Sequence, residues 1–254
     1  MRLVSYNILD GGEGRADPLA EVIEAQRPDV IALIEADFMW ALERIAHRFK
    51  MDFIHAPGKK GSVALLSRWP IVETVNHGLL RKGLTRCLLE ARVVEPGGRE
   101  WVMGVLHFHP QATEQDEIIR EAELAEVLDV FAKHRAAKVP HLLMGDFNAN
   151  SPIQQIIPEN CKESTRDEWR QNGGKIPRRV IQTLLDAGYV DTLHAVDPAM
   201  AATTGTFSTQ HPGQRVDYIF TWGVDRSKVK SAGIEQDRLA KYASDHFPVT
   251  AEIE

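Results

Sequence analysis

LLMGDFNANSP (residues 142–152) runs an apolar stretch into more polar residues than an ordinary strand exit needs. Leu142 to Met144 have the character of a buried strand. Gly145 supplies a position where the backbone can approach a neighbour that a side chain would obstruct. Asp146 and Asn148 are two residues apart, so on an extended chain both face one side and Phe147 faces the other. Asn150 and Pro152 are turn chemistry. A carboxylate and a carboxamide on one face at the end of a buried strand fit either a solvated turn with expendable polar residues or the lip of a site.

Other strand ends repeat the pattern. Asn7 follows the strand 2–6, and Glu35 ends the apolar run 30–34. His107 closes WVMGVLHF (101–108), Asp217 sits inside RVDYIF (215–220), and Asp245 and His246 precede FPVTAEI (247–253). Each alone has a plain reading. Asn7, Glu35 and Asp245–His246 suit caps of turns or helices, His107 and His109 an exposed pair, and Asp217 a partner for Arg215. An unpartnered buried polar group costs about 1–3 kcal/mol, so recurrence at this many strand ends argues that the groups meet at one edge of the sheets.

Strands are also expected at 62–68, 71–77, 85–94, 100–108 and 228–235. The connections WP and EPGG are short enough for antiparallel hairpins. In ADPLAEVIEA, Asp17 is a candidate N-cap with Pro18 at the first helical position. A helix is expected over 38–49. The clearest one spans 113–138, with a capping box at Thr113 and Asp116 and a stripe of Leu124, Ala125, Leu128, Phe131 and Ala132. Residues 151–178 lose periodicity, and a short helix follows near 178–187. Mixed βα and hairpin segments without a linker predict one layered α/β domain over residues 1–254.

With 43% hydrophobic residues the chain can bury a sizeable core, and its net charge of −6 argues against a general nucleic-acid coat while allowing a local basic groove. Cys87 and Cys161 have no neighbours at zinc spacing, which favours a reducing compartment. MRLVSYNIL reads as a strand rather than a signal peptide, and no apolar run approaches the ~18 residues of a membrane span. A cytoplasmic protein, a monomer without a membrane partner, is the expectation.

The ordered set Asn7 in SYNIL, Glu35 in LIEAD, His107 in VLHFHP, Asp146 and Asn148 in GDFNAN, Asp217 in RVDYIF and Asp245–His246 in SDHFPV resembles the endonuclease/exonuclease/phosphatase superfamily. One departure is Ile34, where many members carry Gln before the Glu. The resemblance implies a deoxyribonuclease I-like four-layer sandwich, with two packed mixed β-sheets flanked by helices. It also implies a phosphoesterase dependent on Mg²⁺ or Mn²⁺. Glu35 is the implied metal ligand, with Asn7 and Asp245 as candidates beside it. Asp146 would activate the attacking water with Asn148 holding it or a phosphate oxygen. His246, oriented by Asp217, and His107 would contact the phosphoryl oxygens, and His109 is a possible substrate neighbour.

A phosphate-ester substrate, nucleic acid foremost, suits the candidate recognition loops. GKKG (58–61) is a basic loop, Arg81, Lys82 and Arg86 add positive charge, and Arg86 is the candidate substrate contact. TRDEWRQNGGKIPRR (165–179) sets five basic residues around Trp169, either to stack a base and neutralise phosphates or as a solvated loop over a packed Trp. Inositol phosphates or a phospholipid headgroup are the alternative substrates, although no membrane-binding loop is evident. A calcineurin-type metallohydrolase lacks its amino-terminal Asp, since SYNIL offers Asn. A phosphate-binding module without turnover is the non-enzymatic reading.

Overall fold

The computed structural model describes residues 1–254. Its elements, in chain order, are β1 (Arg2–Asn7), α1 (Ala16–Ala25), β2 (Val30–Ile34), α2 (Met39–Phe49), β3 (Asp52–Pro57), β4 (Ser62–Ser67), β5 (Ile71–Asn76), β6 (Cys87–Val94), β7 (Glu100–His107) and α3 (Glu114–Ala136). There follow β8 (His141–Asp146), α4 (Glu163–Gln171), α5 (Arg179–Asp186), β9 (Val190–Asp191), α6 (Thr192–Val196), α7 (Pro198–Thr203), β10 (Asp217–Trp222), β11 (Val229–Ile234), α8 (Arg238–Ala243) and β12 (Val249–Ile253). Two six-stranded sheets form, ordered β11-β12-β1-β2-β4-β3 and β5-β6-β7-β8-β10-β9. No helix is long and apolar enough to cross a membrane.

The four-layer sandwich follows from strands that are apolar on both faces. In β2, Val30, Ala32 and Ile34 join the core between the sheets, while Ile31 and Leu33 pack outward with α1 and α2. In β8, Leu142 and Met144 face the inter-sheet core and Leu143 the layer under α3 and α5. Such continuous apolar runs belong to strands covered on both sides.

Each sheet is built around one parallel pair, β1 with β2 and β7 with β8, flanked by antiparallel strands. The carboxyl ends of the parallel strands therefore point the same way as the amino ends of the antiparallel β10 and β12. This geometry gathers the polar residues of six segments at one edge.

Several local expectations change. WP does not close a hairpin, because β4 and β5 lie in different sheets and the turn crosses between them. EPGG does join the antiparallel pair β6–β7. Strand β3 carries no clean alternation, since it is a partly exposed edge, and it pairs with β4 through GKKG. Helix α1 starts at Ala16, so Asp17 and Pro18 sit inside its first turn. There a carboxylate favours the helix dipole and a missing N–H costs nothing. The segment 151–178 contains α4. The capping box at Thr113 and Asp116 is present, but the buried face of α3 includes Glu117, Arg120, Glu123 and His134, whereas Ala125 and Ala132 are exposed. Those charges are satisfied: Arg120 pairs with Glu117 at 3.0 Å, and Glu123 accepts from the N–H groups of Thr85 and His109.

Candidate active site

Asp146 is the hub of the strand-end cluster. It is 1% exposed, and its Oδ1 accepts the N–H of Asn148 at 2.8 Å while Oδ2 accepts from Asn7 Nδ2 at 3.1 Å. His107 Nε2 lies 3.5 Å and His246 Nε2 3.8 Å from Oδ2. Asp217 stands directly opposite Asp146 in the β8–β10 register, and its Oδ2 meets His246 Nδ1 at 2.8 Å. Asp245 Oδ1 is 4.0 Å from His246 Nε2.

The backbone sets these positions. Gly145 has φ of 145°, and a Cβ there would sit 2.0 Å from the Leu106 carbonyl oxygen. Only glycine lets β8 close on β7 at the step before Asp146. Asn148 departs from the extended alternation: the strand ends at Asp146, Asn148 adopts φ of 48°, and its Nδ2 donates to the Phe108 carbonyl. Phe147 does face away, among Phe108, Tyr218 and Phe220. Glu35, at φ of 60°, turns out of β2 and accepts the Asp10 N–H at 2.9 Å. Asn7 Nδ2 also reaches Glu35 Oε1 at 3.4 Å, and its Oδ1 accepts the Leu9 N–H. The guanidinium of Arg15 donates to the carbonyls of Ile8, Leu9 and Ala243, tying β1 to the strand-end SDH segment.

Burial and the charge of Asp217 push the Asp146 carboxyl up to about 7, against the pull of His246 and two hydrogen bonds. Burial opposes charge on His246, but Asp217, with Asp146 and Asp245 behind it, outweighs burial and raises it to about 10. His246 is thus an imidazolium at neutral pH. Burial, then Arg86 and His246, push His107 well below its usual range, leaving a neutral ring. Arg86 Nη1 lies 3.2 and 3.4 Å from the two ring nitrogens of His107, and its Nε is buried without an acceptor.

The cluster is short of positive charge. Asp217 Oδ1 and Asp245 Oδ1 are both buried without a donor. Ligand atoms of Asp146, Asp217 and His246 lie within 4.8 Å of one another, close enough to hold an ion. An imidazolium has no lone pair to give, however, so the oxygens of Glu35, Asp146, Asp245 and Asn7 are the better donors. An all-oxygen set suits a hard divalent cation.

Nine predicted residues, Asn7, Glu35, Arg86, His107, Asp146, Asn148, Asp217, Asp245 and His246, form one connected cluster; others are elsewhere. His109 binds Asp116 at 2.9 Å and belongs to the α3 cap. Arg215 pairs with Asp191 at 2.7 Å, not with Asp217. Lys59 of GKKG holds the carbonyls of Arg81, Lys82 and Leu84. Trp169 is 3% exposed and packed with Ala112 and Cys161, so it offers no face to a base.

Phe207 was not foreseen. Its ring lies 4.7 Å from that of His246 and 5.6 Å from Lys162 Nζ, and Phe207 and Lys162 line a cavity of about 240 Å³ with Asn148, Gln214 and Glu168. TGTFSTQHPGQ has no periodicity to announce a site; only its pairing with His246 through an isolated bridge does.

Comparison with known proteins agrees with this geometry. No protein of curated function matches the sequence. An AP endonuclease structure from Archaeoglobus fulgidus is 19% identical, covers 100% of this chain and 99% of its own, and superposes with a TM-score of 0.73. A 3′-5′ exonuclease (NExo) from Neisseria meningitidis is 21% identical, with full coverage of both chains and a TM-score of 0.72. A Neisseria 3′ phosphatase NExo bound to product DNA hairpin is 22% identical, covers 100% and 99%, and also gives 0.72. At these identities the likeness is one of fold. The model of the endonuclease/exonuclease/phosphatase family matches residues 4–246, and the chain belongs to that family.

Proposed function

We propose that the protein is a divalent-metal-dependent phosphodiesterase of nucleic acid, with DNA as its first substrate class. The observation that carries this reading is the buried His246 ring, held by Asp217 at 2.8 Å and facing Asp146 at 3.8 Å among carboxylate oxygens that lack donors. Family membership supports hydrolysis of a phosphoester bond. The choice of DNA is supported by the similar structures, named for an AP endonuclease, a 3′-5′ exonuclease and a 3′ phosphatase with product DNA hairpin.

Glu35 would hold Mg²⁺ or Mn²⁺, with Asp245 and Asn7 oxygens completing the protein's share. When bound, such a cation supplies charge neutralisation at the phosphoryl oxygens. Asn7 Nδ2 lies between Glu35 and Asp146 and positions both. Asp146, with its carboxyl held up near neutrality, is matched to taking a proton from water at physiological pH. Asn148 orients that water or a phosphate oxygen. His246 donates from Nε2 to a phosphoryl oxygen, where its positive charge meets the negative charge that grows during attack. Neutral His107 donates to a second oxygen, and Arg86, whose Nε lacks an acceptor, binds the phosphate.

The test is a panel of single- and double-stranded DNA, abasic and 3′-phosphate-ended DNA, RNA, inositol phosphates and sphingomyelin, each with Mg²⁺ or Mn²⁺ and with chelator. DNA cleavage that chelator silences and metal restores is the expected result. Turnover that persists in chelator overturns the metal assignment. Turnover confined to inositol phosphates or sphingomyelin overturns the nucleic-acid assignment.

A further inference from the structure

Of five tryptophans and nine phenylalanines, only Trp40 and Phe38 are exposed, and they stand two residues apart at the start of α2. Trp40 is 53% exposed, although burial of an aromatic side chain is strongly favourable. Neither ring hangs free. Gly11, at φ of 69°, packs so close to Phe38 that a Cβ there would lie 2.4 Å from the Phe38 nitrogen. The two ring centroids are 6.2 Å apart, and the Arg44 guanidinium, paired with Asp17 at 2.7 Å, lies 5.4 Å over the indole. The loop that carries Gly11 also gives Glu35 the N–H of Asp10, so the aromatic pair is anchored to the strand-end cluster.

From this pair a rim of hydrogen-bonded loops runs past Arg86. Asp37 accepts from Ser62 Oγ at 2.7 Å, and a Cβ on Gly61 would lie 3.8 Å from both Asp37 Oδ2 and Arg86 Nη1. Lys59 ties GKKG to the carbonyls of Arg81, Lys82 and Leu84 in the next loop, which exposes Leu79 and Leu80. Lys60 and Lys82 are exposed and make no ion pair. The loops 58–61 and 77–86 contain no acidic residue, and Asp37 beside them is held by Ser62. Exposed apolar side chains bordered by charge mark an interaction surface. Aromatic faces interleaved with cations suit a single strand of nucleic acid, whose bases stack while its phosphates are neutralised. A bilayer fits less well, since it would bury the Asp37 carboxylate along with the aromatic pair.

We propose that this rim carries an unpaired stretch of DNA outside the strand-end cluster, with a base stacked on Trp40 and Phe38 and flanking phosphates on Lys60 and Lys82. Arg86 belongs to both rim and cluster and joins the two. The inference rests on the nucleic-acid reading of the cluster and extends it from the scissile phosphate to the neighbouring nucleotides. Unpaired ends and gaps are favoured over continuous duplex, because a paired base must first leave its stack to meet an aromatic side chain.

The test is equilibrium binding by the full chain in chelator. A single-stranded oligothymidylate and a blunt DNA duplex are titrated, and the fluorescence of Trp40 is isolated as the difference between wild type and Trp40→Phe. The single strand should quench that fluorescence, and the duplex should bind more weakly. Trp40→Ala should weaken single-strand binding about tenfold, within the range for one stacked base, while Trp40→Phe keeps most of the affinity. Lys60→Gln should flatten the slope of log K against log salt by about 0.7, the share of one phosphate contact on a single strand. No binding of the single strand, duplex binding of equal strength, or wild-type affinity in Trp40→Ala overturns the rim. Trp40 fluorescence that responds instead to phosphatidylserine vesicles, or to the protein's own concentration, gives the face to a bilayer or to a second copy and overturns it as well. The two readings fail separately. DNA bound through Trp40 but never hydrolysed with Mg²⁺ or Mn²⁺ overturns only the proposed function, whereas DNA hydrolysed by a protein whose affinity ignores Trp40→Ala overturns only the rim.

Discussion

The protein contains two buried polar clusters of opposite design. Around Glu90 in β6, one carboxylate receives three nitrogen partners: His77 at 2.8 Å, His134 at 2.6 Å and Lys133 at 2.9 Å. Both of its oxygens are satisfied. Around Asp146, three carboxylates crowd one imidazolium, and two carboxylate oxygens have no donor. The clusters are about 10 Å apart along the strands, since Glu90 lies three residues from Cys87, the residue paired with His107. Both take polar groups out of water, but only the first is closed. A polar cluster completed by its own chain contributes to the fold, whereas one left short of positive charge is shaped for something that arrives from outside.

The largest expected effect exploits that incompleteness. Asp146→Asn removes a buried negative charge that Asp217 already disfavours. Turnover should fall about 10³-fold, as expected for loss of a general base. In chelator at pH 8 the midpoint of thermal unfolding should stay level or rise, because a like-charge contact is gone. A variant that unfolds several degrees earlier would show that the Asp146 carboxylate is held for stability, and the contrast with Glu90 would break.

Asp217→Asn sharpens the comparison from the other side. Asp217 reaches the reaction through His246 Nδ1, so its loss leaves the imidazole in place without the charge that keeps it protonated. Turnover should fall about 10²-fold. Combined with Asp146→Asn, it should add far less than its separate effect, because groups that act as a unit are not additive. Full additivity in the double variant would show two independent roles.

What the sequence revealed divides along similar lines. The strand-end residues were legible because each interrupts or borders an apolar run, and their order along the chain carried the family resemblance. Gly145 was legible for the same reason, as a gap just before the hub. Phe207, Lys162 and Arg15 were not, because they reach the site from segments without periodicity, through contacts between positions up to 228 residues apart. Trp169 was open to two readings, since its packing depends on α4, a short helix whose sequence ESTRDEWRQ is almost wholly polar. The Glu90 cluster stayed hidden because its parts come from a loop, a strand and a helix. A buried glutamate in CLLEARVV looks the same whether its partners are protein or substrate.

The smallest effect separates the clusters by pH. Burial works against the Glu90 charge, but hydrogen bonds from His77, Lys133 and His134 outweigh it and hold the carboxyl down at about 2. The folded state therefore binds this proton more weakly than the unfolded chain, whose glutamate titrates near ~4.3. The contribution of the ion to stability is complete above that value and disappears as pH falls towards 2. Glu90→Gln should cost about 1–3 kcal/mol at pH 7, the range for removing one partner of a buried hydrogen-bonded charge, with turnover unchanged. In denaturant titrations the gap between variant and wild type should narrow steadily below pH 4.3. A constant gap down to pH 3 would show that the loss is one of packing. A gap that opens only as pH falls has the wrong sign for a depressed carboxylate, and would place the stabilising charge on the histidines instead.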